Sequence, residues 1–319
     1  MQKLIKTVDE EKGIVQVTVA DERWYFKSST DQATGNPIMK AFASATWIAG
    51  FYPKGIQFYK WLAEKGWDES QAIKSAAGDK GSKVHLAISA ILRGEEVRID
   101  SKFVNPSTGN EEELTFEEVE CILSFLKWKK DTEEEFEIES IIWDKVVFSE
   151  KYDCAGTMDW LVKLINRKTK EVFYYILDFK TSQYIWVEYE IQTTIYKRMV
   201  ESGENPIMHN GKLLDVSNLK IAILQVGYKR NKNRYKFTPI EDAFPLFQIA
   251  QAIWKKETEG QAPRQVDIPI VLSPAIKVEE IINTNEQEHA NVEINGDSNG
   301  PKDSAEATTG GKVSKRGSK

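Results

Sequence analysis

The hexapeptide Val172-Phe173-Tyr174-Tyr175-Ile176-Leu177 is apolar almost without interruption and runs straight into Asp178-Phe179-Lys180. A strand with no polar alternation needs cover on both faces, as at the centre of a sheet held between helices. That requirement selects a layered α/β architecture. The neighbouring pattern agrees with it. Two more strands are predicted before this one, at about 137–148 and 155–164, with the third over 171–180. A helix over about 188–200 follows, with Ile191, Ile195 and Met199 on one face, and then a buried strand over 219–225. A last amphipathic helix carries Leu246, Ile249, Ile253 and Trp254.

Upstream, residues 13–27 alternate (Val15, Val17, Val19, then Trp24 and Phe26) and predict a strand pair. Residues 54–94 have a helical pattern with expected breaks near Gly66 and Gly78. The last piece bears Val84, Ile88 and Ile91 as a buried stripe. Thr115 and Glu118 form a capping-box signature, followed at helical spacing by Val119, Ile122, Leu123 and Leu126. After about Ile276 the chain turns to Asn, Glu, Ser, Gly and Lys with few large apolar residues, a composition that burial cannot hold folded. The expectation is one α/β domain over 1–276, its core at about 79–228, and a disordered tail over 277–319.

Several classes fall away. No apolar run approaches the roughly 18 residues of a membrane span, and the N-terminus lacks the pattern of a signal peptide, so a cytoplasmic location is expected, with no membrane partner. The only two cysteines, Cys121 and Cys154, make no disulfide framework and no Cys-x-x-Cys pair. No Gly-x-x-x-x-Gly-Lys-Ser/Thr loop occurs, so ATP is not an expected cofactor. A net charge of −6 argues against a nonspecific nucleic-acid coat. It leaves room for an enzyme that gathers carboxylates at one site and keeps a local basic track.

Three short motifs suggest such a site: Gly81-Ser82-Lys83-Val84-His85, Gly156-Thr157-Met158-Asp159 and Asp178-Phe179-Lys180-Thr181-Ser182. A hairpin turn centred between Lys168 and Thr169 sets Asp159 opposite Asp178, their Cβ atoms about 5 Å apart. Like charges that close destabilise each other unless a cation lies between them, and Mg²⁺ or Mn²⁺ suits oxygen ligands. A register different by one residue would leave one aspartate solvated instead. Lys180 shares a face with Asp178; it is either a surface ion pair or a group that aids attack of water on a phosphodiester. His85 is a structural helix residue or a ligand. Gln192 and Tyr196, at i and i+4, form a half-buried helix edge or complete the site. Glu139 is a possible additional acid beside a solvated run, Glu133-Glu134-Glu135. The segment Tyr228 to Lys236 reads as a basic hairpin tip; Lys229, Arg230, Lys232, Arg234 and Tyr235 are its candidates for nucleic-acid contact, against a merely solubilising role.

Gly-x-x-x-His, Gly-x-x-Asp, Asp-x-Lys-Thr-Ser and Gln-x-x-x-Tyr, in that order, resemble the RecB-type exonuclease branch of the PD-(D/E)XK nuclease superfamily. That branch includes phage and prophage exonucleases and the nucleases of CRISPR adaptation. The resemblance covers about residues 44–196, with Ser44-Ala45-Thr46 and Trp61 similar to its helical N-terminal part. It implies a restriction-endonuclease-like core: helix, three strands, helix, strand. It further implies that His85, Asp159, Asp178 and the Phe179 carbonyl bind Mg²⁺ or Mn²⁺. Lys180, Asp178, Asp159, Gln192 and Tyr196 would form the catalytic set, with Glu139 the nearest match to the family's glutamate. Some members hold an iron–sulfur cluster on four cysteines; two cysteines here make a cluster improbable.

The resulting expectation is a divalent-metal-dependent DNA nuclease, foremost an exonuclease working at DNA ends in recombination or repair, in a bacterial or phage-infected cell. A recombination or single-strand-annealing protein, or a helicase, would be its protein partner. The alternatives are a non-catalytic nucleic-acid-binding recombination accessory protein and a structure-specific endonuclease.

Overall fold

The computed structural model describes residues 4–9, 14–19, 22–30, 35 and 37–259, all within one compact unit, Met1–Pro263. The expected tail and the domain end at 276 lie outside the described residues. The chain opens with β1 (Leu4–Asp9), β2 (Ile14–Val19), β3 (Glu22–Thr30) and β4 (Pro37–Ala43), an antiparallel sheet in chain order. The expected pair is thus the middle of a four-stranded meander. Helices α1 (Ala45–Ala49), α2 (Ile56–Lys65) and α3 (Trp67–Leu92) follow, then the short pair β5 (Lys102–Val104) and β6 (Glu111–Glu113), and α4 (Phe116–Glu133).

The central sheet is built from β7 (Phe136–Ser149), β8 (Cys154–Asn166) and β9 (Val172–Lys180), which are antiparallel. Helix α5 (Val187–Glu201) and a two-residue ribbon, β10 (Met208–His209) with β11 (Lys212–Leu213), lead to β12 (Leu219–Val226), which lies parallel to β9. Antiparallel β13 (Tyr235–Ile240) and helix α6 (Phe244–Glu257) complete the unit. The five strands stand in the order β13-β12-β9-β8-β7. The molecule is therefore mixed α/β, and no helix among the described residues is long and apolar enough to cross a membrane.

β9 is central, as its composition requires. Tyr174 and Ile176 pack into a core with α1, α5, α6 and the N-terminal sheet, including Trp24, Ile48, Ile191, Ile195, Met199 and Trp254. Phe173, Tyr175, Leu177 and Phe179 face the opposite core, with Val84 and Ile88 of α3 and Phe125 and Trp128 of α4. The N-terminal sheet is fixed to β8 by Tyr25 Oη against Thr157 Oγ1 at 3.1 Å. A parallel bridge pairs Ser44 with Ala155.

Two helix expectations change. Gly66 does separate two helices, at φ +73°, but Gly78 lies inside an unbroken α3. One glycine costs a helix about 1 kcal/mol, less than burying Val84 and Ile88 returns. The capping box forms as expected, Glu118 N–H donating to Thr115 Oγ1 and Thr115 N–H to Glu118 Oε2. Yet Leu123 and Leu126 are exposed, because α4 turns Cys121, Ile122, Phe125 and Trp128 inward. The larger rings bury more apolar surface than two leucines could.

The end of β12 makes a tight approach to α4. Gly227 has φ +69°, and a Cβ there would lie 2.5 Å from Cys121 Sγ, while its N–H donates to Ser124 Oγ at 2.8 Å. Gly227→Ala should therefore lose about 3 kcal/mol of stability, from the left-handed backbone and overpacking together. Urea unfolding measures this directly; an unchanged midpoint would contradict the packing.

Candidate active site

The site begins with strand register. The β8–β9 ladder ends at Trp160 opposite Leu177, and one further step sets Asp159 opposite Asp178, as the turn at Lys168 and Thr169 predicts. Between β7 and β8, Trp143 pairs with Trp160 and Lys145 with Met158, so Asp144 stands opposite Asp159. Three adjacent strands thus each contribute an aspartate at one level. Asp144 takes φ +47°, a conformation a non-glycine residue holds only under constraint from its surroundings.

The sheet opens at this row. β8 begins at Cys154 and β9 continues to Lys180, but their ladder has no pair beyond Trp160 and Leu177. Phe179 N–H donates instead to Asp159 Oδ2 at 2.8 Å. An extended residue presents its N–H and C=O to the same neighbour, so the Phe179 carbonyl also faces the β8 side. Across the sheet, β9 remains paired with β12 as far as Lys180 opposite Gln225.

α3 brings His85 to the opening. Its Nε2 lies 3.1 Å from Asp159 Oδ1 and 3.5 Å from Asp144 Oδ1. Lys180 makes an ion pair with Asp178, lies 4.7 Å above the Tyr189 ring and donates to Gln192 Oε1 at 3.4 Å. Gln192 Nε2 in turn donates to Tyr196 Oη at 3.0 Å. The expected helix pair is thus joined to the lysine in series, Gln192 touching it and Tyr196 behind. Gly156 of the Gly-x-x-Asp motif makes room for that tyrosine, since a Cβ there would lie 2.5 Å from Tyr196 Cε1. Gly81 meets no such limit: a Cβ would be 3.8 Å from Thr181 Oγ1, an ordinary contact.

Burial and charge act against each other here. Burial alone would lower the His85 pKa, but the Asp159, Asp144 and Asp178 carboxylates push it up to about 9. Burial drives Asp178 above the usual carboxylate range, with Lys180 opposing and Asp159 reinforcing. Burial also disfavours ionised Asp159, yet His85, Lys180 and the Phe179 N–H outweigh it and hold that carboxyl low. Lys180 is desolvated too, but Asp178 and Asp159 hold its pKa above the ordinary lysine value.

Four buried atoms of this cluster make no hydrogen bond of good geometry: His85 Nε2, Asp144 Oδ1 and both carboxylate oxygens of Asp178. Of these, His85 Nε2, Asp144 Oδ1 and Asp178 Oδ2 have ion-pair contacts, which leaves Asp178 Oδ1 as the least satisfied. Buried polar atoms are normally satisfied, and a nitrogen with several carboxylate oxygens is a donor set for a hard divalent cation. Among the described residues no three such side chains close on one point as placed; Asp178 is turned toward Lys180. The donor chemistry fits an ion that Asp178 would meet by turning away from the lysine.

Other expected residues stand elsewhere. Glu139 is opposite Lys163 in the β7–β8 register and is held by Lys163 at 2.7 Å and by His209, several residues along β7 from the aspartate row. Asp144, rather than Glu139, the possible additional acid, is the carboxylate of β7 that stands in the row. Its place follows from the β7–β8 register, unbroken from Ser149 opposite Cys154 to Ile142 opposite Leu161; the bulge between Ser140 and Ile142 comes after it and displaces Glu139. The basic tip is a hairpin between β12 and β13, as expected, but much of its charge is engaged. Lys229 pairs with Glu117 and Arg234 with Glu120, and Tyr235 Oη donates to Asp131. Arg230 lies 4.2 Å over the Tyr184 ring, and among the described residues neither it nor Lys232 has an ion pair.

The sequence matches no protein-family model and no curated protein at a significant level.

In the ion-free protein the extra affinity of His85 for its proton adds stability in full below the ordinary 6.5, and that contribution is lost as pH rises through about 9. An ion that takes His85 must displace the proton. Adding Mg²⁺ or Mn²⁺ at pH 8 should release about one proton per ion, read with an indicator dye in weak buffer. Equal release from His85→Ala would remove the imidazole from the ligand set.

Proposed function

We propose that this chain is a divalent-metal-dependent deoxyribonuclease with a restriction-endonuclease-like core, working as an exonuclease at DNA ends in recombination or repair. The observation that carries the reading is the row of aspartates at the point where β8 and β9 part, with His85 beside it and Lys180 on the next inward position of β9. The order α4, three antiparallel strands, α5 and a parallel β12 supports the same reading. So do the motifs that resemble the RecB-type branch.

Asp159, Asp178, His85 and the Phe179 carbonyl would hold Mg²⁺ or Mn²⁺, with Asp144 added from β7. The ion supplies Lewis acidity toward a phosphoryl oxygen and lowers the pKa of water. Lys180, kept protonated by its two carboxylates, can donate hydrogen bonds to charge developing on the phosphorus oxygens. Gln192 holds the ammonium from behind, and Tyr196 holds Gln192. This chain of contacts fixes the lysine before substrate arrives, so little reorganisation is needed at reaction. No ATP-binding loop is present in the sequence, so unwinding would fall to a helicase partner.

Digestion of end-labelled linear and closed circular DNA with Mg²⁺ or Mn²⁺ tests the proposal. Wild type should degrade linear DNA and spare circles, and Lys180→Ala should be slower by roughly 100-fold or more. Undiminished cleavage by Lys180→Ala would sink the assignment. Nicking of circles would favour a structure-specific endonuclease, and no cleavage with either ion would favour a binding protein.

A further inference from the structure

The chain just beyond Lys180 carries exposed aromatic side chains. Four and six residues on, Tyr184 and Trp186 are 55% and 48% exposed, on the loop that connects β9 to α5. Their ring centroids lie 5.9 Å apart at an interplanar angle of 41°, and the Arg230 guanidinium lies 4.2 Å over Tyr184. Single exposed aromatics are ordinary. Two adjacent rings with a guanidinium that has no ion pair among the described residues are a different surface.

The loop is also held in place. Gln225 Nε2 donates to Ser182 O at 2.8 Å, Gln183 Nε2 to Gly227 O at 3.0 Å, and Lys229 N–H to Gln183 Oε1 at 2.7 Å. Ser182 Oγ donates to Tyr184 O at 2.7 Å, and Trp186 caps α5, accepting Tyr189 N–H at 2.9 Å. These bonds join the aromatic loop to the β12–β13 turn, so the rings and Arg230 keep a fixed relation. The same loop starts where β9 ends at Lys180, so the two rings stand four and six residues along the chain from the proposed site of cleavage.

We infer that Tyr184, Trp186 and Arg230 form a stacking platform for unpaired bases of single-stranded DNA beside the aspartate row. This rests on the nuclease reading for its position, and it adds the form of the substrate. Aromatic rings stack on any base, whatever the sequence, and a guanidinium binds phosphate or lies over a base. In a duplex the base faces are already stacked on each other, so the platform selects a strand that is frayed or single.

The test is binding of a fluorescein-labelled oligothymidylate to the full chain in EDTA, where cleavage cannot intervene, with a blunt duplex of equal length for comparison. Tyr184→Ala with Trp186→Ala should bind the single strand about 10-fold more weakly or worse, from the loss of stacking on two rings. Its affinity for the duplex should stay within about 3-fold of wild type. Tyr184→Phe with Trp186→Phe should restore single-strand binding. Equal single-strand affinity in wild type and double alanine would overturn the platform, as would an equal loss on the duplex or failure of the phenylalanine pair to restore binding. A second readout needs no alanine variant: oligothymidylate should quench the fluorescence of wild type more than that of Trp186→Phe, and equal quenching overturns the inference. Lys180→Ala separates the two proposals. Cleavage that ignores Lys180 sinks the nuclease and leaves the platform standing. Binding that ignores the rings, with cleavage still dependent on Lys180, does the reverse.

Discussion

Carboxylates on neighbouring strands repel each other, and this sheet sets three of them in a row. Asp144, Asp159 and Asp178 stand at one level because the hairpins on either side of β8 fix its register with both neighbours. Slipping either register by one residue would relieve the repulsion but would turn a buried strand inside out. Trp160, Leu161, Val162, Ile176 and Leu177, all fully buried, hold it in place. Two cores thus impose an arrangement that its own charges oppose, and the surroundings answer that opposition. His85 and Lys180 bring positive charge, and Asp159 takes a backbone N–H that would otherwise extend the ladder.

The opening of the sheet at this row links packing to chemistry. Where β8 and β9 remain paired, their backbone groups satisfy each other and leave no access. Where they part, side chains and a backbone carbonyl become available in one place, held by strands rather than by a mobile loop. Sites on rigid elements keep their geometry with little entropic cost. The lysine's neighbours extend this rigidity outward: Gln192 and Tyr196 fix it from α5, and Gly156 permits that approach by having no side chain. On the far side the Lys180 strand leads into Tyr184 and Trp186, so Asp178, the Lys180 ammonium and the aromatic surface lie along one continuous piece of backbone.

Much of this was legible in the sequence for physical reasons. The unbroken apolar run of β9 required cover on both faces, and the turn at Asn166 to Lys170 fixed which residues of β8 and β9 face each other. Side-chain alternation then gave Lys180 its face. Asp144 was hidden because placing it needed the β7–β8 register as well as that of β8 and β9; the bulge between Ser140 and Ile142 lies farther from the turn and displaces Glu139 instead. Glu139 drew attention for its type and its place on the strand, but its register gives it to Lys163. Gly78 looked like a break because propensity is local, whereas α3 is held by contacts far away in sequence. The engagement of Lys229 and Arg234 by α4 could not be read without knowing that α4 lies beside the hairpin. The role given to Tyr184 and Trp186 needed the three-dimensional clamp between their loop and the β12–β13 turn.

The central claim is that the aspartate row and His85 exist to hold a divalent cation. Crystals of the protein grown with Mn²⁺ would test it most directly through an anomalous-difference map. The account predicts a peak about 2 Å from carboxylate oxygens of Asp159 and Asp178, with His85 Nε2 and the Phe179 carbonyl completing the contacts and Asp178 turned from Lys180. A map with no peak at the row, and Asp178 still paired with Lys180 at saturating Mn²⁺, would contradict it and leave these residues as a buried charge network.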